Sequence, residues 1–236
     1  MAHEHIFKQF DTELEDIRAL VLQMGGMVEE QITKAIRALT DRDLALADEV
    51  IEKDLLVNAL ELKIDDACTH MIARRQPAAG DLRLIMTVER AITDLERIGD
   101  KAEKIARLAK KIYGMDRLVV PRFTEIKHMS DMVLEMLRTS LDAFARFDMS
   151  AAANLKKKDR EVDEEFDAVV RHLITFMMED PRMISVSIDI LFAAKAVERV
   201  GDHAKNIASY VVYMAKGKDV RHASMEEIEQ DLGQQP

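Results

Sequence analysis

A five-residue block occurs twice in this chain, and its repetition constrains the fold more than any other feature. The two copies are Glu96-Arg97-Ile98-Gly99-Asp100 and Glu198-Arg199-Val200-Gly201-Asp202. Each copy lies within a stretch whose apolar residues recur every three or four positions, which is the period of an α-helix. In a helix the first and last residues of the block share one face, about 6 Å apart along the axis. Each block therefore predicts a pair of carboxylates on one helical face.

The duplication extends well beyond the blocks. Upstream of them, apolar residues of the first half recur 105 positions later, and Asp54 and Asn58 correspond at the same offset to Asp159 and Asp163. At the blocks themselves the offset is 102 positions, so the hairpin before the second block is three residues shorter. A match maintained over this length indicates that the chain consists of two related halves.

Helix breakers are scarce, since the chain has four prolines and eight glycines. Prolines and turn residues divide the first half into predicted helices at about 7–39, 44–75 and 82–113, and the second half keeps the same order. Long helices that are joined by short turns pack antiparallel. We therefore predict an all-α protein of two tandem, sequence-related three-helix bundles, at residues 1–115 and 119–217. Residues 218–236 form a polar C-terminal tail that we expect to be partly disordered.

Composition limits the classes of partner and compartment. The net charge is −10, so the chain repels nucleic-acid phosphates, and a cationic ligand or a basic partner fits better. The single Cys68 cannot form an intrachain disulfide, which suits a reducing compartment. The N-terminus lacks the apolar core of a signal peptide, and no stretch approaches the roughly 20 apolar residues of a membrane span. We expect a cytoplasmic protein that reaches a membrane only through partners.

Counting outward from each predicted hairpin places further oxygen-bearing side chains level with the blocks. Carboxylates this close repel one another, so the cluster needs protons, arginines or metal ions. All-oxygen ligation favours Mg²⁺, Mn²⁺ or iron over zinc. Ion pairs with neighbouring arginines are the alternative, and the residues alone leave both interpretations open. The candidate metal ligands are Asp54, Asn58, Glu96 and Asp100 in the first half, and Asp159, Asp163, Glu198 and Asp202 in the second.

Two enzyme classes find little support. A ferritin-like di-iron site requires Glu-x-x-His on two helices, but here only Glu125 and His128 have that spacing in a helical context, without a counterpart in the other half. No Ser or Cys lies in a recognisable nucleophile elbow with a placed histidine. We therefore predict that no residue is catalytic.

Together with further segments, the blocks resemble the PhoU family, the accessory proteins of phosphate-specific transport. The resemblance spans nearly the whole chain. The segments that carry it, besides the blocks, are Met24-Gly25-Gly26-Met27-Val28-Glu29, Arg75-Gln76-Pro77 with Asp81-Leu82-Arg83, Asp142-Ala143-Phe144-Ala145-Arg146, Met177-Met178-Glu179-Asp180 and Lys216-Gly217-Lys218-Asp219-Val220-Arg221-His222.

The resemblance implies a cytoplasmic, usually dimeric regulator without known catalytic activity. Such a protein represses the phosphate-starvation response and restrains phosphate uptake. It connects the ATPase subunit of the high-affinity phosphate ABC transporter to a sensor histidine kinase. A metal-dependent enzyme, such as a phosphohydrolase, is the alternative function.

The resemblance also implies that the eight candidate residues belong to metal-binding motifs, which some members use to hold multinuclear clusters. Asn58 departs from the pattern, which has a carboxylate at that position. A neutral amide gives a cation less charge, so the second cluster is expected to bind metal better than the first.

Overall fold

The computed structural model describes residues 8–114, 124–221, 223 and 227. It consists of six long helices, α1 (Lys8–Thr40), α2 (Leu44–Arg75), α3 (Ala79–Gly114), α4 (Thr124–Arg146), α5 (Ala151–Glu179) and α6 (Ile184–Lys216), with a single 3₁₀ turn at Pro181–Met183. The prediction of an all-α fold with two tandem three-helix bundles is confirmed.

Local signals set several helix ends. The Asp43 side chain accepts a hydrogen bond from the Leu46 amide at 3.4 Å and caps α2. Gln76 ends the same helix in a left-handed conformation, with Pro77 directly after it, and Gly217 ends α6 with a φ of 71°. Helix α3 begins at Ala79, which is earlier than predicted, because the hairpin needs only three residues.

Each bundle is closed by contacts among its own three helices, and two helices of each bundle join it to the other. Helix α3 packs against α6, and α1 packs against α4. Early residues of α3 meet late residues of α6, as where Arg90 stacks on Tyr213, so these two helices run antiparallel. Helices α2 and α5 touch only helical elements of their own bundle in the described part of the chain. They therefore lie at the outer sides of the molecule.

The core consists mainly of aliphatic side chains and alanines from all six helices, with several fully buried methionines. Residues 218–221, at the start of the C-terminal tail, are ordered, whereas we expected the tail to be partly disordered. Val220 is 1% exposed, and Asp219 pairs with Arg90 of α3 at 3.4 Å, so this segment packs against the helices. Most of the remaining tail lies outside the described residues. None of the described helices combines the length and the apolar character that a membrane crossing requires.

Candidate functional site

The first carboxylate cluster forms where α1, α2 and α3 meet at Gly99. A methyl group built on Gly99 would lie 3.5 Å from Asp54 Oδ1 and 3.4 Å from Gln31 Oε1. Both of those side chains are buried, Asp54 on α2 and Gln31 on α1. The missing side chain at Gly99 thus leaves room for polar oxygens from two other helices.

Several of these buried polar atoms have no hydrogen-bond partner within the described part of the chain. They are Asp54 Oδ1, Asn58 Oδ1 and both amide atoms of Gln31. The one hydrogen bond at this point is donated by Asn58 Nδ2 to Asp54 Oδ2, at 3.1 Å. A buried polar atom without a partner costs about 1–3 kcal/mol, so a ligand or water that bound these three oxygens would stabilise this part of the structure.

The block carboxylates add negative charge to the same cluster. Burial raises the pKa of Asp54, and the nearby charges of Glu103 and Asp100 raise it further. Burial also raises the pKa of Glu96, with contributions from Asp100, Glu61 and Asp54. The structure therefore places Glu96 and Asp100 within electrostatic range of Asp54, which accepts a hydrogen bond from Asn58. Asp100 lies at the surface and Asp54 at the bottom of the cluster.

In the second bundle a lysine occupies the middle of the cluster. Lys205 Nζ donates to Asp159 Oδ2 and, at 3.2 Å, to Asp202 Oδ1. Arg199 donates to the other oxygen of Asp202 at 2.7 Å. Burial raises the pKa of Asp159, although the Lys205 ammonium opposes the shift. Asp159 and Asp202 are thus held in ion pairs by Lys205 and Arg199 of α6.

The remaining two candidates of the second cluster differ in burial. Glu198 is buried, and its Oε1 accepts from Lys195 Nζ at 2.6 Å. Burial raises the pKa of Glu198, and the charges of Asp202 and Asp163 raise it further. Asp163 is exposed and contributes to the cluster through its charge.

Two differences between the repeats explain why the clusters differ. At the offset of 102 positions Lys205 corresponds to Glu103, and at the offset of 105 Gln31 corresponds to Met136. The second cluster therefore has an ammonium and a thioether where the first has a carboxylate and an amide. The expectation that the second cluster binds metal better than the first stays a prediction. The contacts of Lys205 count against it, although Glu198 Oε2 of that cluster is also buried without a hydrogen-bond partner among the described residues. A lysine already supplies the positive charge there, and a metal ion would have to displace it.

Sequence reasoning missed Gln31, Glu103 and Lys205. The repeat offsets could have found the exchange of Glu103 for Lys205, since both residues lie three positions after their block. Gln31 carries no motif, and its role follows only from the packing of α1 against Gly99.

Among the residues that the structure describes, no three His, Cys, Asp or Glu side chains converge closely enough to hold a metal ion. Oxygen ligation in the first cluster would need Glu96 and Asp100 to turn toward Asp54. Glu96 is half-buried and Asp100 is exposed, so both side chains have space to do so.

Comparison with known proteins agrees with the repeated architecture. The family model for the PhoU domain matches twice, at residues 21–109 and 126–211, with one match in each bundle. The chain belongs to the PhoU family. The family assignment places each block inside one copy of the domain, in α3 and α6 respectively.

Individual relatives match over nearly their full length. A phosphate-specific transport system accessory protein PhoU homolog of Pseudomonas aeruginosa is 46% identical over 235 residues, which cover 98% of this chain and 96% of that protein. The accessory protein PhoU of Escherichia coli K12 is 43% identical over 230 residues, which cover 98% and 95%.

Solved structures show the same fold. The crystal structure of PhoU from Pseudomonas aeruginosa has a TM-score of 0.85 at 46% identity and covers 89% of this chain and 100% of that one. The phosphate transport system regulatory protein PhoU from Streptococcus pneumoniae has a TM-score of 0.81 at 29% identity and covers 89% and 99%.

Proposed function

We propose that this protein is a cytoplasmic accessory regulator of phosphate-specific transport that represses the phosphate-starvation response when phosphate is plentiful. It acts as a homodimeric adaptor between the transporter's ATPase subunit and the sensor histidine kinase. The observation that carries the proposal is identity of 43–46% over nearly the full length to proteins named as phosphate-specific transport system accessory proteins. Those names describe accessory proteins and mention no enzymatic reaction.

Deletion of the gene tests the regulatory role. A strain without the protein should express a phosphate-starvation reporter in rich phosphate, and the wild-type chain supplied in trans should switch the reporter off. A deletion strain that still represses the reporter in rich phosphate would contradict the proposal.

The first cluster is proposed to hold a hard cation, Mg²⁺, Mn²⁺ or iron, in preference to zinc. The residues that would hold it are Asp54, Asn58, Glu96 and Asp100, with Gln31 Oε1 as a further oxygen. The fit rests on the unpartnered buried oxygens around Gly99 and on the raised pKa values of Asp54 and Glu96. A bound cation would compensate the clustered charge and fix α1, α2 and α3 relative to one another.

The repeats supply a matched test of this cation site. Glu103→Lys places in the first cluster the residue that the second cluster has at the equivalent position, Lys205. The lysine ammonium should take the place of the cation, so we expect metal binding to be lost while the fold is kept. The double variant Glu198→Ala/Asp202→Ala should leave the metal content unchanged. Metal content is measured by mass spectrometry on untagged protein that has been purified without chelators. The opposite pattern, with metal kept in E103K and lost in the double variant, would place the site in the second bundle.

The metal-dependent phosphohydrolase considered from the sequence stays an untested alternative. It requires turnover of a phosphate ester that disappears in Asp202→Ala. A panel of metals and phosphate esters without turnover would remove this alternative and would leave the adaptor function unaffected.

A further inference from the structure

Helix α2 exposes three leucines on its outer side, which we call the leucine ridge. Leu55, Leu56 and Leu62 are 72%, 55% and 65% exposed. Leu55 and Leu62 are seven residues apart and therefore lie on the same helical face, two turns apart, with the exposed Ala59 between them. A contiguous apolar surface of this kind on a helix is characteristic of an interaction site.

The second repeat shows that the fold does not need these leucines. At the offset of 105 positions the ridge corresponds to Arg160, Glu161 and Asp167 of α5, all of them exposed. Helices α2 and α5 occupy equivalent positions at the outer side of their bundles. The same position is thus charged in one bundle and apolar in the other, so packing within the bundle does not account for the ridge.

A cavity of about 180 Å³ adjoins the ridge between α1 and α2. Its apolar lining comes from Met27, Val50 and Leu56, and charged residues of both helices surround it. A cavity of this size accommodates one apolar side chain of a partner. The ridge and the cavity together offer the kind of surface that receives the apolar face of an amphipathic helix.

The charge of α2 indicates what kind of helix fits. Between residues 48 and 66 the exposed charged residues are four acidic ones, Asp48, Glu52, Asp65 and Asp66, and two lysines, Lys53 and Lys63. On the exposed side, Glu52 and Asp66 lie at the two ends of the ridge and Lys63 lies on the same face as Leu56, whereas α5 has Lys157 and Arg171 at the positions equivalent to Glu52 and Asp66. A second copy that docked through the same face would bring acidic borders together, whereas a basic segment would compensate them.

We propose that the leucine ridge is the docking surface for a basic amphipathic helix of a signalling partner. Apolar side chains of that helix cover Leu55 and Leu62 and enter the cavity beside Leu56, while its lysines or arginines face Glu52 and Asp66. The inference rests on the proposed adaptor function, because the partner is the transporter's ATPase subunit or the cytoplasmic part of the sensor kinase.

The test uses the full-length protein and measures binding of the purified ATPase subunit and of the purified cytoplasmic part of the kinase. In the ridge variant, L55R/L56E/L62D, each leucine is replaced by its counterpart from the second repeat, a residue that is exposed there. The charge variant E52K/D66R follows the same rule. The control variant R160A/E161A/D167A alters the equivalent face of α5. Circular dichroism and thermal unfolding confirm that all variants are folded.

We expect the ridge variant to weaken binding of at least one partner by about tenfold or more, since burial of exposed leucines is lost. The charge variant should lower the association rate at low salt, and the control should bind within about twofold of wild type.

Two results would overturn the inference. One is binding of the ridge variant within about twofold of wild type. The other is loss of self-association, measured by sedimentation, with partner binding intact, because the ridge would then be a surface between two copies. If the wild-type protein binds neither partner, both the adaptor function and the ridge proposal fail. That result differs from a loss of binding in the ridge variant alone, which supports both.

Discussion

A single pair of equivalent residues gives the two clusters different chemistry. Glu103 of the first bundle adds a carboxylate to a cluster in which three buried oxygens lack partners among the described residues, whereas Lys205 of the second bundle binds Asp159 and Asp202 directly. The same arrangement of helices thus surrounds a lysine ammonium in one repeat and a cluster of carboxylates in the other. The duplication has kept the carboxylates and changed what compensates them.

Replacing Lys205 should show how much the second bundle depends on its internal cation. In Lys205→Met the buried Asp159 loses its ammonium partner, and we expect a loss of about 2–4 kcal/mol in the free energy of unfolding. The pKa of Asp159, already raised by burial, should rise further without the ammonium. A carboxyl group whose pKa is raised in the folded protein destabilises the fold as the pH rises, because it must then be charged or take up a proton. The loss in the free energy of unfolding of K205M should therefore be larger at pH 7 than at pH 5.

Urea unfolding of K205M at both pH values measures this effect. Lys53→Met is the control, because Lys53 forms an exposed ion pair with Glu49 whose loss should cost under about 1 kcal/mol. An equal loss at pH 5 and pH 7 in K205M would contradict the role assigned to Asp159.

Glu89 of α3 should make the stability of the first bundle depend on pH near neutrality. Burial raises its pKa to about 7, and Asp65 contributes through a hydrogen bond and through its charge. The folded pKa lies above the usual 4.5, so this group's contribution to stability is present at low pH and lost as the pH rises through about 7. Glu89→Gln should therefore stabilise the protein by about 1–3 kcal/mol at pH 8 and much less at pH 5. Thermal unfolding at the two pH values tests this, and an equal shift at both would contradict it.

At the scale of the element, two adjacent glycines of α1 have different surroundings. A methyl group on Gly25 would lie 2.5 Å from Leu141 Cδ2 of α4, whereas one on Gly26 would meet nothing within 4 Å. The missing side chain of Gly25 therefore lets α1 approach α4 closely, whereas Gly26 has no neighbour that requires a glycine.

Alanine at these two positions separates helix propensity from packing. Both variants gain about 1 kcal/mol of helix propensity, and only Gly25→Ala must displace Leu141. We expect Gly26→Ala to stabilise the protein by about 1 kcal/mol and Gly25→Ala to be less stable than Gly26→Ala by about 1–2 kcal/mol in urea unfolding. Adding Leu141→Ala to Gly25→Ala should remove the clash. If the two single variants are equally stable, the contact between α1 and α4 does not depend on Gly25.

The elements show what the sequence could predict and what it could not. Apolar periodicity predicted the six helices, and hairpin counting predicted a proximity of Glu96 and Asp54 that agrees with the influence of the Asp54 charge on Glu96. Both follow from local geometry that a helix repeats at each turn. The role of Gln31, the packing of Val220 and the exposure of Leu55 depend on how whole helices face one another. An isolated glutamine or leucine in a sequence does not indicate whether its side chain will be buried in a cluster or exposed on the surface.

For the whole molecule, a buried polar contact joins the two bundles. Asp94 of α3 accepts a hydrogen bond from the Tyr210 hydroxyl at 2.6 Å, and its other oxygen lies 2.7 Å from His203 Nδ1. Tyr210 and His203 both belong to α6, and all three side chains are buried. Burial raises the pKa of Tyr210, and Asp94 adds to the shift, so the hydroxyl keeps its proton and remains a donor. The α3–α6 interface is therefore specified by polar geometry in addition to apolar packing.

Removing Asp94 should loosen the coupling between the bundles more than it disturbs either bundle alone. In Asp94→Ala the buried side chains of His203 and Tyr210 lose the carboxylate that they share, which costs about 3 kcal/mol or more. For a chain of this length that corresponds to a melting temperature lower by roughly 6–12 °C. Because the lost contact lies between the bundles, we expect calorimetry to show one transition for the wild type and a broadened or split transition for D94A. Tyr210→Phe, which removes one hydrogen bond and keeps the ring, should lower the melting temperature less and keep one transition. A D94A protein that melts in one sharp transition near the wild-type temperature would show that apolar contacts alone couple the two bundles.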